Sequence, residues 1–167
     1  MSLSRHRGSA PSSVVCGILS ASDTRTLEND ESGQLIRSLL EGAGHEVRFH
    51  RVVPDDPSSI RAAVAEAEAD AALRVLVVNG GTGIAQRDRT YEALEGLIER
   101  PLPGFGELFR MLSHRKIGAA AMLSRAMAGV RGRRVLFSLP GSPAAVRLAL
   151  EELILPELGH LVGQLDA

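Results

Sequence analysis

Tryptophan is absent, and aromatic residues make up only 3% of the 167-residue chain. A core without large rings has to be aliphatic. The 44% hydrophobic content, rich in Val, Leu, Ile and Ala, suits a parallel sheet covered by helices. A single cysteine, Cys16, cannot form an internal disulfide, and a reducing cytoplasmic setting follows as the expectation. Neither charge is in surplus: 19 basic residues face 20 acidic ones, for a formal charge of −1. That balance gives no basic footprint for nucleic acid and no acidic tail. Lys116 is the only lysine, so a mechanism needing an amine has one candidate. No segment approaches the ~20 apolar residues of a membrane span. Arg5 and Arg7 ahead of residues 14–21 admit a signal-peptide reading, but that run is short and is needed as a strand. One domain over residues 14–167, behind a polar, flexible tail at 1–13, is therefore expected.

Strand and helix patterns alternate along the chain. Residues 14–20, 47–53, 73–78 and 134–139 read as buried strands, with a further strand candidate at 126–130. Helical spacing runs through Leu35, Ile36, Leu39, Leu40 and Ala43 and stops at Gly44. Asp56 before Pro57 offers a cap and a first-turn proline for a second helix through Ile60, Ala63, Val64 and Ala67. A third starts near Thr90, a short fourth spans 107–113 after a break at Pro103-Gly104, and a last one spans 144–161. Such alternation implies βαβ units in a mainly parallel sheet between helices, a three-layer α/β domain. Ligands of open parallel sheets bind beyond the carboxyl ends of the strands. The polar or glycine-rich segments Ser22-Asp23-Thr24, Pro54-Asp55-Asp56, 80–88 and 140–143 all follow strands, so one rim should carry them together.

Gly80-Gly81-Thr82-Gly83 lets backbone N–H groups approach an anion, with the Thr82 hydroxyl as a further donor. The alternative is a tight strand-exit turn. The loop is neither a GxGxxG fingerprint nor a Walker A loop. Asp88, between Arg87 and Arg89, suits Mg²⁺ beside phosphates; helix capping with solvated charges is the other reading. Asp56 has a capping role to fill, which leaves Asp55 freer for chemistry. Pro140-Gly141-Ser142-Pro143 offers a second anion site or an ordinary strand-to-helix turn. The five histidines are scattered, and His45 and His50 miss the HExxH spacing. His50 and His160 are expected at the surface rather than as ligands.

In order along the chain, Ser22-Asp23-Thr24-Arg25, Pro54-Asp55-Asp56, residues 79–83 with Asp88, and Pro103-Gly104-Phe105-Gly106-Glu107 are followed by Leu123-Ser124-Arg125 and residues 139–143. Together they resemble the MoaB/Mog family of molybdenum-cofactor biosynthesis proteins, and the MoaB branch more than the Mog branch. The resemblance implies a trimer or hexamer and a molybdopterin adenylyltransferase, with ATP and molybdopterin as substrates and Mg²⁺ as the ion. By motif it carries Asp55 and Asp88 over as the acids of catalysis and metal binding. It likewise carries Gly80, Gly81, Thr82 and Gly83 over as the phosphate loop. Ser22, Asp23, Ser124, Gly141 and Ser142 fall in substrate-contacting segments, and Arg87 is placed to neutralise phosphate. Phe105 and Phe109 are expected to be buried between subunits or, alternatively, to cap the domain's own core. A pterin-binding or assembly protein without turnover competes with the transferase. A generic nucleotide-binding regulatory domain leaves residues 103–107 unexplained.

Overall fold

Strand β1 (Val15–Ala21) turns alternate side chains to opposite faces of the sheet, and both faces are apolar. Cys16 and Ile18 point into one core and Leu19 and Ala21 into the other, so β1 must lie in the middle of a sandwich. The same split recurs in β3 (Val75–Asn79) and β6 (Arg134–Leu139), where Val77 and Phe137 face one core and Leu76 and Leu136 the other. The structure, a computed structural model, describes residues 10–167. Residues 1–9, with Arg5 and Arg7 and most of the expected tail, lie outside the described residues.

With β2 (Glu46–Val53), β4 (Arg100–Pro101) and β5 (Met127–Arg131), the sheet has the order β2-β1-β3-β6-β5-β4. The first four strands in that order are parallel; β5 runs antiparallel to β6, and β4 antiparallel to β5. Helices α2 (Pro57–Glu68) and α3 (Thr90–Glu95) cover one face. Helices α1 (Glu31–Gly42), α4 (Pro103–Ile117), α5 (Pro143–Ala149) and α6 (Leu155–Leu165) cover the other. This is the three-layer, mainly parallel domain expected from the alternation. Among the described residues no helix is long and apolar enough to cross a membrane.

Local signals explain most of the element ends. The Asp56 carboxylate accepts the Ser59 N–H at 2.9 Å, with Pro57 in the first turn. After α1, Gly44 takes φ +88 and its N–H bonds to the Glu41 carbonyl. Two expectations change. Pro103 does not break the chain but opens α4, because a first-turn proline lacks only an N–H that the helix would leave unpaired. The last helix is interrupted by a π-turn, Leu150–Ile154, between α5 and α6. Phe109 is buried and Phe105 packs against Phe137 with ring centroids 5.2 Å apart, so these rings serve the domain's own core. Cys16 is a free, buried thiol that burial pushes up to a pKa of about 12, so it stays protonated and inert.

Candidate functional site

Because β2, β1, β3 and β6 are parallel neighbours, Val52, Ser20, Asn79 and Leu139 stand side by side at one end of the sheet. The loops leaving those strands enclose a cleft of about 330 Å³. Ser22, Asp23 and Arg25 enter it from the β1 loop, Asp55 from β2, Gly80, Gly81, Arg87 and Asp88 from β3, and Gly141 from β6. The parallel order dictated by the hydrophobic strands thus gathers segments more than a hundred residues apart.

Glycine is required where these loops meet. Gly80 takes φ +99, and a β-carbon there would run into the Ala21 carbonyl oxygen. A β-carbon on Gly141 would lie 3.1 Å from Gly80 Cα, so the two loops touch through bare backbone. Gly81, at φ +60, leaves space that a β-carbon would take from the Asp55 carboxylate and the Thr90 hydroxyl. The Gly80 N–H is already given to the Leu139 carbonyl at 3.0 Å and is not open to a ligand.

The two expected acids sit in different settings. Asp55 Oδ1 accepts the Arg89 N–H and the Thr90 hydroxyl, each at 3.3 Å, and its own N–H donates to Asp23 at 3.0 Å. Burial pushes the Asp55 carboxyl above its ordinary value; the Arg89 and Thr90 bonds oppose the shift, and the charges of Asp88 and Asp23 add to it. Asp88 Oδ2 accepts the Ala85 N–H at 3.0 Å, while its other oxygen accepts no bond from the described residues. It does not cap α3, whose N-cap residue is Arg89 without a side-chain bond. The capping alternative for Asp88 therefore falls. Arg87 is exposed and bonds no protein group among the described residues.

A group whose folded pKa is raised favours its neutral form. Its stabilising contribution is present below the unfolded aspartate pKa, about 3.9, and is lost as pH rises through the folded value. Asp55→Asn keeps the Oδ1 acceptor and removes the charge. It should therefore raise the melting temperature at pH 7, and the gain should fade toward pH 4. Paired melting curves at the two pH values check this; an equal difference at both would show that burial of the charge is not the cause.

Other expected residues lie elsewhere. Thr82 is 4% exposed and outside the cleft lining, so its hydroxyl is not a rim donor. Ser142 accepts the Ala145 N–H at 3.3 Å as the cap of α5. Ser124 lines a separate cavity of about 630 Å³ between α4 and β5. Arg125 lines the same cavity, and sequence reasoning gave it no role beyond its place in the Leu123-Ser124-Arg125 segment. Its Nε donates to the Gly83 carbonyl at 3.0 Å and its Nη2 to the Asp88 carbonyl at 2.9 Å. Nη1 meets Glu92, and the guanidinium lies over the Tyr91 ring. One side chain thus fastens the loop that carries Asp88, with Gly83 packed against that carboxylate.

Beneath the cleft runs a buried polar chain. Asn79 Nδ2 donates to Ser20 Oγ at 2.7 Å, and Ser20 Oγ donates to Asp30 Oδ2 at 2.5 Å. His50 Nε2 stands 3.2 Å from the same oxygen, with its side chain only 9% exposed. His50 is therefore not the surface residue its scatter suggested; an exposed position on edge strand β2 is closed off by Asp30. The signal for Asp30 was local: an acid before a helix, three residues ahead of Gly33, whose N–H it accepts at 3.0 Å.

The chain is similar to known proteins over nearly all of its length. A family model described as a probable molybdopterin binding domain matches residues 17–160. Molybdenum cofactor biosynthesis protein B of Bacillus cereus is 51% identical over 166 residues, covering 99% of this chain and 98% of that protein. A crystal structure of a molybdenum cofactor biosynthesis protein B superposes with a TM-score of 0.91 at 52% identity, over 94% of this chain and 98% of that one. The tungsten cofactor synthesizing protein MoaB from Pyrococcus furiosus superposes with a TM-score of 0.85 at 37% identity, over 95% of this chain and 100% of that one.

Proposed function

The chain belongs to the molybdopterin-binding-domain family of molybdenum-cofactor biosynthesis proteins, and from that premise we propose that its rim cleft adenylylates molybdopterin with ATP, releasing pyrophosphate. One observation carries the reading: two carboxylates, Asp55 and Asp88, face a floor of bare glycine backbone in a cleft that also holds Arg25 and Arg87. Such a cleft fits a phosphate chain and a hard cation at once. The Mg²⁺ implied by the family suits these donors. Asp88 has an unshared oxygen, and Asp55 carries charge that its acidic neighbours oppose. Among the described residues no group of three His, Cys, Asp or Glu is disposed to hold a metal, so an ion here would need further ligands from substrate phosphates and water.

In the reaction a terminal phosphate oxygen of molybdopterin bonds to the α-phosphorus of ATP. The bond from that phosphorus to the β-bridging oxygen breaks, and pyrophosphate leaves with the electron pair. Mg²⁺ on Asp55 and Asp88 would neutralise charge on the phosphates. The protein's own part is alignment of two anions that repel each other. Gly80, Gly81 and Gly141 let the rim loops close up on one another, which brings Asp55 and Asp88 beside the phosphates, and Arg87 is a cation with no partner among the described residues to give up. Ser22 holds the β1 loop, accepting the Thr24 and Arg25 N–H groups at 3.3 and 3.2 Å. A cytoplasmic protein acting on small molecules follows from this reading.

The deciding experiment is incubation of the protein with molybdopterin and Mg-ATP, with detection of the adenylylated pterin and of pyrophosphate. Pterin binding without either product would leave a binding or assembly role. We also propose a homo-oligomer, trimer or hexamer. Leu108, Met111 and Ile117 of α4 and Met122 and Leu123 just after it are exposed, an apolar surface that suits self-association. Light scattering at micromolar concentration should give three or six times the 17.8 kDa chain mass; a monomer would refute the assembly.

A further inference from the structure

Arg25 sits in the β1–α1 loop with its side chain lining the cleft and 34% exposed. One of its nitrogens is tied down. Nη1 donates to the Gly141 carbonyl at 3.3 Å and lies 3.6 Å from Asp30 Oδ1. Nε and Nη2 have no acceptor among the described residues. A guanidinium pinned by one nitrogen leaves a planar fork of donors free, the geometry that takes two oxygens of a phosphate.

The pin is itself built deliberately. Asp30 is wholly buried, an expensive place for a carboxylate unless it is richly bonded. A helix cap alone does not require that depth, since capping acids usually sit at the surface. Three hydrogen-bonding groups, Ser20, the Gly33 N–H and His50, converge on it, and the Arg25 guanidinium makes an ion pair with it. Burial pushes its carboxyl upward, but the bonds from His50, Ser20 and Gly33 outweigh that and hold it below the ordinary value, as an anion. The Gly141 carbonyl is fixed in turn by a second donor, Ser32 Oγ, at 2.8 Å. Arg25 is thereby locked into the corner where the Gly80 and Gly141 backbones touch, within the same small cleft as Asp55 and Asp88.

We propose that Arg25 is a fixed phosphate-binding residue of the cleft and that buried Asp30 is the positioning residue that aims it. A tetrahedral phosphate would sit on Arg25 while the acids take the cation, which fixes which way a phosphorylated substrate lies. The identity of that substrate rests on the adenylyltransferase reading; the anion site does not.

Calorimetric titration with inorganic pyrophosphate, without metal, tests the site independently of turnover. Arg25→Gln should weaken pyrophosphate binding roughly ten- to a hundredfold, the range of a lost charge-assisted pair, with Arg25→Lys in between. Asp30→Asn, or Asp30→Ser if that variant does not fold, keeps a helix cap and should weaken binding less. In the Arg25→Gln background it should add nothing, because its effect runs through the arginine. Equal pyrophosphate affinity in wild type and Arg25→Gln, or no binding by wild type, overturns the anion site. Additive losses overturn the positioning role. Kinetics then separate this inference from the functional reading. Wild type without turnover but with Arg25-dependent pyrophosphate binding sinks the adenylyltransferase and leaves the anion site. Normal turnover with kcat and KM unchanged in Arg25→Gln sinks Arg25. A KM raised for ATP alone, or for molybdopterin alone, identifies whose phosphate it holds.

Discussion

Asp88→Asn should cut pyrophosphate release on the order of a hundredfold or more while leaving the melting temperature where it was. The amide oxygen of Asn can still accept the Ala85 N–H, which the native carboxylate does at 3.0 Å, so the loop keeps its shape. No helix cap is lost, because α3 is not capped by this side chain. Arg125 grips the backbone carbonyl of residue 88 and not its carboxylate, so the fastening of the loop is also untouched. What disappears is the charge that, on the proposed reading, orders a cation against the phosphates. Metal-assisted charge neutralisation is worth several kcal/mol in such transition states, and each ~1.4 kcal/mol is tenfold in rate. Surface changes of this kind move stability within about 0.5 kcal/mol. Pyrophosphate release and thermal melting on one sample of the variant check both halves. Undiminished turnover would end the catalytic assignment of Asp88.

Gly80→Ala should do the opposite, unfolding the protein more than it slows any single step. The position has φ +99, outside the region that L side chains adopt. The added methyl would meet the Ala21 carbonyl oxygen, which is main chain and cannot swing aside. Ala21 is held in register with Val53 on β2, so yielding there would tear the strand ends apart. Left-handed strain of ~1–2 kcal/mol and overpacking of ~1–3 kcal/mol add to roughly 2–5 kcal/mol. A melting temperature lower by on the order of 10 °C is expected for a chain of this size. Gly104→Ala is the matched control. It lies within α4 with nothing within 4 Å of the new atom, and it should be neutral or slightly stabilising. A Gly80→Ala protein melting like wild type would mean the β3 exit turn is not under steric constraint.

Much of this was legible beforehand because its causes are local. The apolar runs fixed β1, β3 and β6, Asp56-Pro57 marked the start of α2, and the loops after parallel strands had to share a rim. Asp55, Asp88, Gly80, Gly81 and Gly141 could be placed there from spacing and motif alone. The rest depended on partners far along the chain. His50 looks like a surface residue until Asp30, twenty positions earlier, is known to face it. Nothing local to Arg125 shows that its donors reach carbonyls about forty residues upstream. Thr82 looks like a rim donor, yet the chain turns at Gly80 and Gly81 and carries it inward. Periodicity reports which face of an element is apolar; it says nothing about which distant side chain will close over a polar group.

The reversed strand β5 sets the order in which the rim is assembled. Every other contribution to the cleft leaves the carboxyl end of a parallel strand, but Arg125 arrives just before β5 begins, at the same rim only because that strand runs the other way. Its bonds to Gly83 and Asp88 span 42 and 37 residues. Contacts of that separation carry a large loop-closure cost and form only once the intervening elements have docked. A chain emerging from the ribosome would therefore carry Asp88 in an unfastened loop until α4 and the β5–β6 hairpin were in place. The loop that carries Asp88 is thus fastened late, after the sheet has closed.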